Sequence, residues 1–283
     1  MPLTVAKHAG FCSGVRRAVE EAIKAAGSEK GIVTLGELVH NPEVIRQLEG
    51  IGVRAVDSPA EATGGTVIIR SHGVAPEMYR ELDARGLLTI DLTCPFVKRL
   101  HDTVAQYSAG GKTVIMVGQS DHPEVVGTLG WCGGDVYTVH SEEQAEGLPE
   151  LNEALAVAQT TLPHESWEAI LPVLRRKVKN LTAKDTICTA TVQRQNDARQ
   201  LAQKMDAMLV VGGLSSANTR KLYETCKRIC DRTLLVERAA DIPPGFADIH
   251  SESIGITAGA STPDWLLKEV VTRMTDKEHM DQR

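Results

Sequence analysis

Three cysteine loops constrain this chain more than anything else in it. Each follows a short apolar run and opens a helical stretch. Leu3–Ala6 runs into Gly10-Phe11-Cys12-Ser13-Gly14-Val15, Leu88–Ile90 into Thr93-Cys94-Pro95, and Leu181–Ala183 into Ile187-Cys188-Thr189. Thiols at matched places in three repeats point to one shared centre. The repeats divide the 283 residues into segments 1–86, 87–179 and 180–283, each near the low end of domain size.

Four strand signals recur in each segment. The first delivers the cysteine. The second (Gly31–Leu35, Thr113–Val117, Ala207–Val211) leads to His40-Asn41, to His122 and Glu124, and to Ser216-Ala217-Asn218. A short third strand follows at Val53–Val56, Val136–Val139 and Thr233–Val236. The fourth (Thr66–Ile69, Leu155–Ala158, Ser253–Thr257) leads to Ser71-His72, Thr160-Thr161 and Ser261. The 3.6-residue period predicts helices at Val15–Ala26, Pro42–Glu49, Val97–Tyr107, Ser166–Val178, Gln193–Met205, Thr219–Cys230 and Pro263–Met274. Strands alternating with helices predict parallel sheets, whose ligands bind beyond the carboxyl ends of the strands. The expected fold is α/β: a three-lobed trefoil of pseudo-threefold related domains, each a small, mostly parallel four-stranded sheet flanked by helices. The nine loops would then surround one central iron–sulfur site.

Three thiolates without a fourth equivalent suit a 4Fe–4S cluster with one iron lacking a protein ligand, which can also appear as 3Fe–4S. Electron-transfer clusters commonly use four cysteines, whereas an open metal position can act as a Lewis acid. The plain alternative is that the cysteines pack, as free cysteine often does. Cys226 and Cys230 lack the spacing of a zinc site, and Cys132 after Trp131 reads as packing. His40, His72 and His122 in matched loops, with Ser216, Asn218 and Ser261, predict an anion pocket aided by helix N-termini. Glu124 alone would be an ordinary first-turn helix glutamate. Beside His122 and facing Thr160, it is a candidate general acid.

Net charge is −6 and aromatics are 4%, which argues against nucleic-acid and anionic-membrane partners. No run approaches 18 apolar residues, so no membrane span is expected. Six cysteines without a secretory leader read as thiols or metal ligands of a cytoplasmic protein. Two other classes of function use some of the same residues. A zinc hydrolase on His40, His72, His122 and Glu124 lacks HExxH-type spacing and leaves the three cysteines unexplained. A non-catalytic phospho-ligand binding module would need neither Glu124 nor sulfide.

GFCSGV (10–15), VHNPEV (39–44), SHGV (71–74), TCPFV (93–97), HPEVVGTLG (122–130), QTTL (159–162), ICTAT (187–191) with RQ (194–195), SSANT (215–219) and TAGAS (257–261) together span the chain. In these motifs the sequence closely resembles the 4-hydroxy-3-methylbut-2-enyl diphosphate reductases, enzymes of the last step of the non-mevalonate (MEP/DXP) isoprenoid pathway. The resemblance implies a trefoil around a cluster held by Cys12, Cys94 and Cys188. It implies diphosphate binding by His40, His72, His122, Ser216, Asn218 and Ser261. Glu124 would donate the proton, and Thr160 would relay it and orient the substrate alcohol. The reaction would be reductive dehydroxylation to isopentenyl and dimethylallyl diphosphate, with the substrate hydroxyl on the open iron. The electron donor would be a ferredoxin or flavodoxin, and the protein a monomer or weak homodimer. Ala217 stands where some members have serine, so a backbone N–H would replace one side-chain contact. Arg70-Ser71-His72 stands where others have Ser-Ala-His. No appended RNA-binding domain is expected.

Overall fold

The structure is a computed structural model that describes residues 3–28, 31–62, 65–246 and 253–280. In chain order the elements begin β1 (Leu3–Val5), α1 (Ser13–Ser28), β2 (Val33–Leu35), α2 (Pro42–Gly50), β3 (Arg54–Val56), β4 (Thr66–Ile69) and α3 (Pro76–Ala84). They continue β5 (Leu88–Asp91), α4 (Pro95–Ser108), β6 (Thr113–Val117), α5 (Pro123–Leu129), β7 (Val136–Val139), α6 (Glu142–Glu146), β8 (Leu151–Ala158) and α7 (His164–Lys177). The last are β9 (Val178–Lys184), α8 (Thr189–Ala202), β10 (Ala207–Val211), α9 (Ala217–Lys227), β11 (Thr233–Val236), β12 (Ile254–Ala258) and α10 (Asp264–Met280).

The chain divides into two compact units. The first comprises Met1–Arg16, Val39–Gln47 and Val192–Arg283, the second Arg17–Leu38 and Leu48–Thr191. The first unit holds one four-stranded sheet, ordered β1-β12-β10-β11. The second holds two, ordered β3-β2-β4-β5 and β7-β6-β8-β9. Among the described residues every pairing is parallel.

The sheet order follows from the sequence. The inner strands are near-continuous apolar runs, such as Val67-Ile68-Ile69, Val114-Ile115-Met116-Val117 and Met208-Leu209-Val210-Val211, with no exposed surface at any of these residues. Strands covered on both faces read this way. Fully burying each of the larger side chains stabilises by about 1.5–3 kcal/mol. The cysteine-delivering strands β1, β5 and β9 are the half-exposed edges.

Sheet membership corrects the segment boundaries. Strand β5 pairs with β4 and β9 pairs with β8. Residues 87 and 180 were expected to open new segments, yet the cut at 179/180 falls inside β9, and β1 pairs with β12 of the last segment. The reason is that parallel neighbours need a crossover connection. α3 supplies it between β4 and β5, and α7 between β8 and β9. α3 escaped the periodicity because only Leu82 of its nine residues is buried. α8 starts at Thr189, directly after Cys188, four residues before the expected Gln193.

Candidate active site

In the first unit, two helix starts carry the candidate binding residues. Asn41 caps α2: its Oδ1 accepts from the N–H of Glu43 (3.0 Å) and of Val44 (3.4 Å). That use of the oxygen turns the amide nitrogen elsewhere, and Nδ2 is buried without a hydrogen-bond partner. Ser216 caps α9, its Oγ accepting from the Thr219 N–H at 3.3 Å. Ala217 and Asn218 form the first turn, and Asn218 Nδ2 is likewise buried without a partner. Two orphaned donors at two helix N-termini are what an anion would satisfy.

The His40 backbone ties these loops together. Ser261 Oγ donates to His40 O at 3.2 Å. A Cβ on Gly213 would lie 2.9 Å from the same oxygen, so only glycine lets the loop before Ser216 rest there. Cys12 follows β1, its N–H donating to Ala260 O (3.3 Å) and its Sγ accepting from the Val15 N–H (3.4 Å) at the start of α1. Behind it Arg194, 3% exposed, donates to Gly10 O at 2.7 Å and fixes the loop.

In the second unit, backbone bonds link the cysteines to the other polar loops. Cys94 stands at the N-cap position of α4 and donates its N–H to Ser71 O at 3.0 Å, beside His72. Cys188 donates its N–H to Thr160 O at 2.9 Å. Thr160 in turn holds Glu124: its N–H donates to Oε1 (2.6 Å) and its Oγ1–H to Oε2 (2.7 Å). Glu124 is 2% exposed. Burial pushes its carboxyl up to about 7, against the two bonds from Thr160 that favour the charged form. His122 caps α5, its Nδ1 accepting from the Glu124 N–H at 3.1 Å. That bond fixes the neutral ring's proton on Nε2. The His72 and His122 rings meet edge to face, with centroids 5.5 Å apart.

The six cysteines separate into two classes. Cys12, Cys94 and Cys188 are partly exposed and each stands at a helix start. Cys226 and Cys230 are buried in the core of the first unit. Burial pushes the Cys226 thiol up to about 12 and Cys132 up to about 11, which disfavours the thiolate a metal requires. Asn41 and Arg194 stood in the motifs without a role assigned. The signal for Asn41 is its place before Pro42, an N-cap followed by a first-turn proline.

The family model for "LytB protein" matches residues 3–275. The 4-hydroxy-3-methylbut-2-enyl diphosphate reductase of Caldanaerobacter subterraneus is 43% identical, covering all of this chain and 99% of its own. That of Geobacter metallireducens is 41% identical, with 98% of each covered. A solved (E)-4-hydroxy-3-methyl-but-2-enyl diphosphate reductase, "the terminal enzyme of the non-mevalonate pathway", superposes with a TM-score of 0.73 at 38% identity, over 98% of this chain and all of that one. The Plasmodium falciparum reductase structure gives 0.87 at 26% identity, over 96% and 87%. The chain belongs to the LytB family, together with these 4-hydroxy-3-methylbut-2-enyl diphosphate reductases.

Proposed function

We propose that the chain reductively dehydroxylates 4-hydroxy-3-methylbut-2-enyl diphosphate, yielding isopentenyl and dimethylallyl diphosphate. The balance is two electrons and two protons in, one water out: one proton leaves with the hydroxyl and the other ends on carbon. The observation that carries this reading is Glu124, a buried carboxyl pushed up to about 7 and clasped by Thr160. A carboxyl half-protonated near neutrality can protonate a leaving hydroxyl, and such positioned acids contribute about 10²–10⁴-fold. The Thr160 hydroxyl holds Oε2 in one orientation and can relay the proton.

Binding falls to groups that need not titrate. Ser216, Asn218 and Ser261, with the N–H groups that open α2 and α9, would hold diphosphate oxygens. Ala217 would contribute only its backbone N–H. Asn41 joins this set through its orphaned amide. His122, with its proton on Nε2, is a donor, and His40 and His72 would serve likewise.

Cys12, Cys94 and Cys188 fit an iron–sulfur cluster, being partly exposed thiols that each stand at a helix start. When bound, such a cluster supplies electrons and, with only three protein thiolates, a Lewis-acidic iron. The reading takes a 4Fe–4S centre, a low-potential ferredoxin or flavodoxin as donor and a cytoplasmic setting that keeps thiols reduced.

The test is product analysis. Protein purified without oxygen, given a chemical reductant and the allylic diphosphate, should convert it to the two C5 diphosphates. Unchanged substrate would overturn the reading, and release of inorganic phosphate would favour a hydrolase.

A further inference from the structure

The His72 turn rests on two aromatic rings that the proposed chemistry does not use. His101, on α4, is 3% exposed and stacks on Trp131, with centroids 5.2 Å apart and planes 21° apart. Burial pushes its imidazole down to about 4, so the ring is neutral. A Cβ added at Gly73 would lie 2.5 Å from His101 Cε1, which sets that ring directly against the residue after His72. Gly73 has φ +69°, a backbone state that suits glycine. Trp131 Nε1–H donates to Val74 O at 2.9 Å. The next residues of the turn meet α5 with almost no side chain between. A Cβ on Gly127 would be 3.2 Å from Gly73 O, and one on Gly130 would be 2.3 Å from Ala75 Cβ. α5 is the helix that His122 caps and that carries Glu124 in its first turn.

We infer that Trp131 and His101 are positioning residues for His72: the indole N–H and the imidazole ring hold the turn of residues 71–74 against the glycine face of α5. Through that contact they set His72 relative to His122 and Glu124. The two rings also line a pocket of about 210 Å³ with Tyr79, Asp91, Thr93 and Lys98. Their hold on the turn therefore comes from these named contacts rather than from dense packing on every side. The inference rests on His72 binding diphosphate, as proposed above.

The experiment uses the cluster-loaded protein with ¹³C-labelled histidine and inorganic diphosphate as the probe. Trp131→Phe keeps a ring in place but removes the donor to Val74 O. It should shift the His72 ring resonances and weaken diphosphate binding by about tenfold, since small misplacements of binding groups are costly. Iron content and melting temperature should stay near wild type. His101→Ala, which removes the stacked ring, should shift the same resonances. If both variants leave the His72 resonances and the diphosphate affinity unmoved, the inference is wrong. His72→Asn separates the two layers. If it binds diphosphate normally, the binding role of His72 fails, while shifted resonances in Trp131→Phe still support the positioning.

Discussion

The two units carry polar sets of opposite character. In the first, Asn41, Ser216, Asn218 and Ser261 are neutral hydrogen-bonding groups at or near helix starts, two of them with orphaned buried donors. In the second, a buried carboxyl pushed up to about 7 sits between Thr160 and a capping histidine. A diphosphate stays anionic over the working range, so fixed donors suffice to hold it. A proton to be given away at neutral pH needs a group tuned to release it there. Under the proposed function, the first set would bind diphosphate with the histidines, and the second would add the proton donor.

The largest test of that contrast is Glu124→Gln. Turnover should fall by about 10²–10⁴-fold while substrate affinity stays within about threefold. Near-normal kcat by steady-state assay would erase the distinction between the sets.

The same variant should report in stability. The folded state holds the Glu124 proton up to about pH 7, against an ordinary 4.5, so the folded protein binds more protons across that window. The wild type is therefore favoured below about 4.5 and loses that advantage as pH rises through about 7, a change of about 3 kcal/mol. Melting temperature of the wild type should fall from pH 5 to pH 8. Glu124→Gln, which mimics the protonated acid, should lack this slope. Parallel curves for the two proteins would mean that the carboxyl is not perturbed.

Next in size is the pH–rate profile. The acid acts in its protonated form, so kcat should decline above about pH 7, approaching tenfold per unit. A flat profile to pH 9, with chemistry rate-limiting, would remove Glu124 from that role.

The smallest effect belongs to the first unit. Asn218→Ala removes one donor to a charged ligand, so KM should rise by roughly tenfold with kcat largely kept. A fall in kcat with unchanged KM would show that the two sets do not divide the work as proposed.

Much of the fold was legible because parallel strands buried on both faces spell themselves out. Thr66–Ile69 and Ala207–Val211 match their apolar runs residue for residue. Edge strands were harder. β9 extends to Val178–Lys184 through lysines and an asparagine that a solvent-facing edge tolerates, so only its central residues gave a signal. Which sheet an edge strand joins is decided by a crossover helix, and α3 carries too few apolar residues to reveal itself. At the site, the contact of Glu124 with Thr160 was visible from matched loop positions. The contact of Arg194 with Gly10 O joins residues 184 apart in sequence, and no local pattern encodes it. His101 gave no signal either, since a histidine on a helix face announces neither burial nor stacking.

The most direct test of the account is iron and acid-labile sulfide per chain, measured on wild type and Cys94→Ser purified without oxygen. About four of each in the wild type, with loss in a folded Cys94→Ser, is the expected result for a cluster held by three thiolates. Zinc without sulfide, or a colourless protein that cannot be reconstituted, would contradict it and leave a phospho-ligand binding module as the better description.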